Sequence, residues 1–189
     1  MAPLQTSPRV LIVYYSRTGS TESMASGLAR ASGADLEALV TISNHRGMLG
    51  YLLSRFEGMS GQEARIRQPR YSPKAYDIVL LGTPTWGAAL SSPVRTYLNR
   101  YAAVLPEVGF FVTYGARGAE RVMEEMQSIS SKRPLATLAL RKCDLKCRPS
   151  VYFGEFWERV LCAWEARTPT SFRDHEPTSL CNQRHGAPS

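Results

Sequence analysis

A loop rich in hydroxyl side chains follows the first apolar segment of the chain. Four hydroxyls fall within six positions, in the order Ser16, Arg17, Thr18, Gly19, Ser20, Thr21. A helical pattern starts directly afterwards, so backbone N–H groups and the positive end of the helix dipole would favour an anion here. Hydroxyls can donate to phosphate oxygens, and a glycine lets the backbone turn tightly. One hydroxyl would be enough for an ordinary helix N-cap, so four of them favour a phosphate site.

The residues around this loop exclude several other kinds of phosphate site. The chain has neither the GxGxxG of a dinucleotide-binding turn after Tyr15 nor the GxxxxGK[ST] of a Walker loop. A phosphatase of similar topology would need a cysteine where Ser16 stands, and a receiver domain would need an aspartate where Thr83 stands. The remaining interpretation is a monophosphate held by hydroxyls and main-chain amides.

Apolar runs that are short enough to be strands alternate with stretches of helical periodicity. The predicted strands are Val10–Tyr15, Leu36–Ile42, Ile78–Gly82, Val108–Thr113 and Leu135–Leu140. The predicted helices contain Met24–Ala29, Met48–Phe56, Val94–Tyr101, Ala119–Ile129 and Phe153–Trp164. This alternation indicates an α/β fold, a doubly wound five-stranded parallel sheet in the order 2-1-3-4-5. We expect one domain over residues 1–165 and a flexible tail over residues 166–189, which are rich in Pro, Ser and Thr.

Three loops should meet at one edge of such a sheet. Ligands of open α/β sheets bind at the carboxyl ends of the strands, near the point where the winding reverses. In the predicted order this point lies between the first and third strands. The loops that define the expected site are therefore Ser16–Thr21, Thr83–Ser92 and Tyr114–Ala119.

Two of these loops carry a resemblance to a known family. The segment "YYSRTGSTESMASGLA" resembles the signature of the flavodoxin family, whose first loop holds the phosphate of FMN. The segment "YDIVLLGTPTWGAALSSPVRTYL" is similar to the third-strand region of flavodoxin-like proteins and FMN-dependent quinone reductases, and "ARGAERVMEEM" and "RPLATLAL" resemble later units of the fold. The resemblance covers about Arg9 to Trp164. It implies a flavodoxin-like fold and FMN as the cofactor.

The resemblance also implies which residues would contact FMN. Phosphate contacts would come from Ser16, Arg17, Thr18, Gly19, Ser20 and Thr21. The isoalloxazine ring would be lined by Pro84, Thr85, Trp86 and Gly87, and its pyrimidine side would be closed by the Tyr114–Gly118 turn, with Tyr114, Gly115 and Gly118.

The residue types in these two loops agree with a planar ligand, although each also has a structural interpretation. Trp86, between Pro84 and Gly87, offers the flat apolar wall that an isoalloxazine needs, but an aromatic residue at a strand end can also cover the core. Tyr114 is a second stacking candidate. Gly115 and Gly118 permit close approach of backbone to ligand, and ordinary turns would use them equally well.

The net charge of +7 sets this chain apart from typical flavodoxins, which are acidic and bind basic partners. Two clusters hold much of it: Arg65, Arg67, Arg70 and Lys74, then Arg141, Lys142, Lys146 and Arg148. A solvated surface and a docking face for an acidic partner both fit these clusters. Neither has the interleaved aromatics of a single-strand binder, and no DNA-binding signature occurs, so we expect no nucleic-acid partner.

The cysteines and the lack of long apolar segments indicate the compartment. Cys143, Cys147, Cys162 and Cys181 all lie in the last quarter and match no zinc-site spacing, so we expect no metal and a reducing cytoplasm. No run approaches the roughly 20 apolar residues of a membrane span, and "MAPLQTSPRV" lacks the features of a secretion signal. A redox pair of Cys143 and Cys147 is a further alternative.

The sequence offers no convincing catalytic acid or base, so a bound cofactor would carry the chemistry. The predicted function is that of an FMN-binding redox protein, in one of two forms. A carrier would shuttle electrons between redox partner proteins, whereas an enzyme would use NAD(P)H to reduce a quinone-like acceptor. A homodimer in which a neighbour completes the pocket is consistent with the resemblance to quinone reductases. The alternative is a non-catalytic flavodoxin-fold interaction module without bound flavin.

Overall fold

The computed structural model describes residues 7–42, 64–146 and 149–168. Its strands are β1 (Val10–Tyr14), β2 (Asp35–Ala38), β3 (Ile78–Trp86), β4 (Ala89–Leu90), β5 (Glu107–Tyr114) and β6 (Thr137–Arg141). Its helices are α1 (Ser20–Ser32), α2 (Ser92–Tyr101), α3 (Ala119–Ser130) and α4 (Pro149–Arg167), and short 3-10 turns cover Pro73–Ala75, Ala102–Val104 and Asp144–Lys146. The predicted helix Met48–Phe56, Cys147, Cys181 and the tail beyond residue 168 lie outside the described residues.

The sheet has the predicted winding. Its order is β2-β1-β3-β5-β6, and each of these neighbours pairs in parallel. With the short strand β4 set aside, this is the order 2-1-3-4-5, which confirms the doubly wound α/β fold. The central strands are continuously apolar because helices cover both faces of a parallel sheet.

Alternate residues of the central strands divide the core into two layers. Leu11 and Leu81 point to the layer that contains buried residues of α2 and α3. Ile12 and Leu80 point to the opposite layer, which contains buried residues of α1 and α4. All four strand residues are 0% exposed, so the strands that carry the loops of interest are fixed from both sides.

The third strand is longer than its apolar run. It was expected to end at Gly82, but it continues to Trp86 because Thr83 and Pro84 still pair with β5. Trp86 then pairs antiparallel with Ala89 of β4. The segment predicted as a loop from residue 83 to residue 92 is therefore mainly strand and hairpin, which fixes its side chains more firmly than a free loop would.

The second strand is shorter than predicted, and the chain after it is tied back to the sheet. β2 ends at Ala38, and Thr41 makes only an isolated bridge with Ile66. Glu37 accepts hydrogen bonds from the backbone N–H groups of Arg70 and Tyr71 at 2.9 and 3.0 Å. This carboxylate therefore anchors the first basic cluster beside the outer strand.

None of the helices in the part of the chain that the structure describes is long and apolar enough to cross a membrane.

The contact between α1 and α4 gives a first test of the fold. A Cβ added at Gly27 would collide with the ring of Phe153. We expect Gly27→Ala to lower the free energy of unfolding by about 1–3 kcal/mol, because overpacking a fixed interface forces side chains or backbone to move. Urea denaturation of the purified variant measures this change.

Gly154, one residue further along α4, is the matched control, since a Cβ there would meet nothing within 4 Å. We expect Gly154→Ala to stabilise the protein by up to about 1 kcal/mol through helix propensity alone. Equal effects of the two substitutions would contradict the packing described for Gly27.

Candidate functional site

A cleft of about 220 Å³ lies at the carboxyl edge of the sheet, where β1, β3 and β5 end side by side. It is lined by Arg17, Thr18, Thr21, Pro84, Thr85, Trp86, Gly87, Thr113 and Lys142. The structure thus brings residues of the first and second predicted loops to one place. Ser16, Gly19 and Ser20 belong to the same turn as the lining residues of the first loop.

The hydroxyls of the first loop are not used to cap the helix that follows. The N-cap of α1 is Gly19, whose φ of 84° is left-handed, and no side chain makes a capping hydrogen bond there. Helix α1 therefore begins with backbone N–H groups that no side-chain cap satisfies, as α2 and α3 also do. Such groups can bind an anion, and α1 is the helix that follows the hydroxyl-rich loop. Ordinary capping does not account for the hydroxyl-rich loop.

Ser16 provides a direct indication of a ligand. Its Oγ is buried and has no hydrogen-bond partner among the residues that the structure describes. A buried hydroxyl without a partner costs about 1–3 kcal/mol. Thr96 and Tyr97 of α2 also have such hydroxyls, so it is the place of Ser16 in the loop before α1 that gives its hydroxyl a bearing on the site. Because Ser16 opens the turn that leads into α1, its hydroxyl fits the role of a donor to an anionic ligand at this helix start.

Thr21 has a different environment from Ser16. Its Oγ1 lies 2.7 Å from Oγ1 of Thr113, and both residues are almost fully buried, at 1% and 0% exposure. This hydrogen bond joins the first turn of α1 to the end of β5. Thr113 was missed by the sequence prediction of the site; a threonine near the end of the apolar run of β5 is the only signal that could have indicated it.

Trp86 lies beside the first loop and lines the cleft, and it is only partly buried. The ring of Tyr15 meets it edge to face, with centroids 5.5 Å apart, and the Arg17 guanidinium carbon lies 5.7 Å from the indole centroid. These contacts hold the indole at the wall of the cleft. Burial raises the pKa of the Tyr15 phenol, opposed by the nearby Arg17, so Tyr15 stays neutral near physiological pH.

The hairpin after Trp86 is strained. Its two turn residues, Gly87 and Ala88, have φ values of 58° and 65°, as a tight two-residue hairpin requires. A left-handed alanine costs about 1–2 kcal/mol, and such strain tends to persist at functional sites. A Cβ on Gly118, whose φ is 96°, would lie 2.5 Å from the Ala88 Cβ, so only glycine lets the third loop approach the hairpin.

The carboxylate of Glu125 holds the strand that follows this hairpin turn. Glu125 of α3 pairs with Arg95 of α2 and also accepts a hydrogen bond from the Leu90 backbone N–H at 3.3 Å. Both charged side chains are largely buried, with 19% and 24% exposure for Arg95 and Glu125. The pair therefore links two helices and the strand that returns from the strained turn.

The third loop lies at the rim of the cleft. Gly118 contacts the hairpin, whereas Gly115 is exposed and a Cβ there would meet nothing within 4 Å. Tyr114 packs against the core and is covered by Arg141, whose guanidinium carbon lies 6.0 Å from the ring centroid. The hydrogen bond with Tyr114 raises the pKa of the Arg141 guanidinium. Tyr114 and Gly115 are thus beside the cleft and are not among its lining residues.

Lys142 was predicted only as part of a basic surface cluster, but it lines the cleft. Its backbone N–H donates to the Tyr114 carbonyl at 3.1 Å, which places it beside the end of β5. The lining residues therefore include two cations, Arg17 and Lys142, and no carboxylate. The lining of the cleft is therefore positively charged. The local sequence around Lys142 did not indicate that it would line the cleft.

A second depression, of about 370 Å³, lies at the other end of α3, among residues such as Glu124, Lys132 and Arg133. Because α3 begins at the carboxyl edge, this depression is at the amino edge of the sheet, away from the three loops. It has no aromatic lining and we assign no function to it.

Comparisons with known proteins agree with this architecture. A family model described as Flavodoxin matches residues 9–142, which is more than half of the chain. A flavoprotein from Lactobacillus acidophilus NCFM, solved in complex with FMN, superposes with a TM-score of 0.58 at 20% identity over 74% of this chain and 97% of that chain. A protein from Agrobacterium tumefaciens described as "flavodoxin, WrbA-like" superposes with a TM-score of 0.53 at 14% identity, over 84% of this chain and 99% of that chain. No curated protein matches the sequence significantly.

The hydrogen bond between Thr21 and Thr113 can be measured by a double-mutant cycle. We expect Thr113→Val to lower the free energy of unfolding by about 1–3 kcal/mol, because it leaves the buried Thr21 hydroxyl without its partner. Thr21→Val should have a similar effect. The double variant should lose less than the sum of the two, since no unpaired hydroxyl remains. Strictly additive losses in urea denaturation would show that the two hydroxyls do not interact.

Proposed function

Because the chain belongs to the flavodoxin family, we propose that it is a redox protein whose cofactor, FMN, occupies the cleft at the carboxyl edge of the sheet. The observation that carries this proposal is the meeting of an uncapped hydroxyl loop with a partly exposed indole in one positive cleft. When bound, FMN supplies one- and two-electron redox chemistry. The chain's own residues bind and orient the cofactor.

The first loop holds the phosphate. The Ser16 hydroxyl is buried without a partner, and the Thr18 side chain lines the cleft. Together with Ser20 and the backbone N–H groups at the start of α1, they donate to phosphate oxygens. Gly19, with its left-handed backbone, would let the chain turn tightly around the phosphate. The dipole of α1 adds a favourable field for the negative charge.

The second and third loops hold the isoalloxazine ring. Trp86 forms a flat wall, with Pro84, Thr85 and Gly87 lining the same side of the cleft. Fixing this wall on a paired strand rather than a free loop orients the ring. The Tyr114–Gly118 turn lies at the rim of the cleft, where Gly118 approaches the hairpin closely, and it would close the site beside the ring.

The carrier form of this function fits the cleft better than the enzyme form. Its lining has no carboxylate, histidine or cysteine, so no side chain there is suited to proton transfer near neutral pH. Transfer of electrons to and from other proteins requires only an exposed cofactor edge and a docking surface. A reducing cytoplasm suits such a carrier, and it fits the exposed thiol of Cys143.

The partner that fits this surface is acidic. Arg17 and Lys142 line the cleft, and the exposed Arg117 and Arg141 stand beside it on the third loop and at the end of β6. The chain as a whole carries a charge of +7. Complementary charge steers association and fixes the orientation of docking. An acidic surface around the partner's redox centre would therefore be drawn to the mouth of the cleft.

Titration of apoprotein with FMN tests the cofactor and the phosphate loop. We expect the wild-type protein to bind FMN with quenching of flavin fluorescence. Ser16→Ala should weaken FMN binding about tenfold, because it removes a hydrogen bond to a charged group. Ser23→Ala, on an exposed position of α1, is the control and should bind FMN like the wild type. A well-folded apoprotein that takes up no FMN would contradict the proposal and favour a flavin-free interaction module.

Stopped-flow electron transfer tests the acidic partner. With FMN-loaded protein and a reduced acidic [2Fe–2S] ferredoxin as the probe, we expect the rate constant to fall as ionic strength rises. Arg117→Glu should lower it at least several-fold at low salt, since it reverses a charge beside the cleft.

Arg30→Glu makes the same change of charge in the last turn of α1, far from the cleft, and should have a smaller effect. Faster reaction with basic cytochrome c than with the ferredoxin at low salt would contradict the acidic partner. Rapid turnover of NADPH with a quinone would favour the enzyme form.

A further inference from the structure

Lys142, a residue of the second basic cluster, lines the cleft. It is the first residue after β6, and it is exposed to solvent at the edge of the cleft. Its neighbour Arg141 turns instead toward the ring of Tyr114. Within the described residues, no carboxylate lies within ion-pair distance of the Lys142 ammonium.

Two hydrogen bonds connect the backbone at Lys142 to the start of α1 indirectly, through the end of β5. The Lys142 backbone N–H donates to the carbonyl of Tyr114 at 3.1 Å. The preceding residue, Thr113, meets Thr21 through their hydroxyls at 2.7 Å, and Thr21 stands in the first turn of α1. Lys142 lines the same cleft as Thr18 and Thr21, and the flexible four-carbon stem of lysine lets its ammonium move within that cleft.

The charges in the cleft leave a specific task for this ammonium. A phosphate monoester carries about −1.5 to −2 charges at pH 7, and hydroxyls and amides stabilise that charge without neutralising it. Arg17 is the other cation of the lining, but its guanidinium lies over the Trp86 indole. Lys142 is the second cation of the lining, and its ammonium makes no ion pair within the described residues.

We infer that Lys142 is a specificity-determining residue, which reaches across the cleft from the end of β6 to the cofactor's phosphate. It makes the site select the phosphorylated flavin over riboflavin. The inference rests on the proposed function and adds to it a contact from a strand outside the loops that resemble the family's signature. It also means that cofactor affinity falls as salt rises, because an exposed ion pair is screened.

The test compares FMN with riboflavin, which has the same ring and no phosphate. Both are titrated into apoprotein at low and at high salt. For Lys142→Gln we expect FMN affinity to fall about tenfold at low salt, as for loss of one partly solvated ion pair, while riboflavin affinity is unchanged. The salt dependence of FMN binding should also become weaker. Lys142→Arg should retain most of the FMN affinity because the charge is kept.

Lys74→Gln is the matched control, since Lys74 is exposed in the other basic cluster; both its FMN affinity and its salt dependence should equal those of the wild type. Urea denaturation midpoints establish that each variant is folded. An equal loss of FMN and riboflavin affinity in Lys142→Gln, or no loss of either, would overturn the inference while leaving the proposed function intact. A folded wild-type apoprotein that binds neither flavin would overturn both.

Discussion

The parallel pairing of β1, β3 and β5 is the constraint on which the candidate site depends. Parallel neighbours must all end at the same edge of the sheet, so the loops after them are forced together however far apart they are in the chain. Leu11 and Leu81 on one face and Ile12 and Leu80 on the other are fully buried, which locks the register of these strands. The loops therefore project from a rigid base, and their side chains meet at one cleft.

The structure fixes these loops to one another at some energetic cost. The Thr21–Thr113 hydrogen bond ties the first helix to β5. The left-handed Ala88 and the close approach of Gly118 join the hairpin to the third loop. A strained turn and an unpaired buried hydroxyl on Ser16 are both unfavourable for folding alone. Both features lie at the edge that carries the cleft, where a preorganised binding site can retain them.

The electrostatics of the cleft give this family member a distinct character. Two cations and no carboxylate line it, and the chain carries a net charge of +7. Typical flavodoxins combine the same fold with an acidic surface. Under the proposed function, the same positive charges would attract both the cofactor's phosphate and an acidic partner to this edge. Neutral hydroxyls alone would provide geometry but little long-range attraction.

Much of the fold and part of the site could be predicted from the sequence, because local patterns carry that information. Continuous apolar runs gave the strands and their winding, and the hydroxyl loop and Trp86 were visible as short segments. The extension of β3 to Trp86 could not be predicted, because a proline such as Pro84 usually indicates that a strand has ended. In the structure the strand continues past Pro84 because it pairs with β5 and β4. Where the second strand ends was likewise decided by tertiary pairing.

The contacts that complete the site were decided only by the tertiary structure. Thr21 and Thr113 are 92 residues apart, and Lys142 enters the cleft through a backbone hydrogen bond to Tyr114. The residues around Thr113 or around the second basic cluster do not indicate which distant residue either one will contact. The local sequence determined which helices and strands form, because their formation depends on residues that are neighbours in the chain. The tertiary structure determined which side chains meet, because those contacts depend on strands that come from distant parts of the chain.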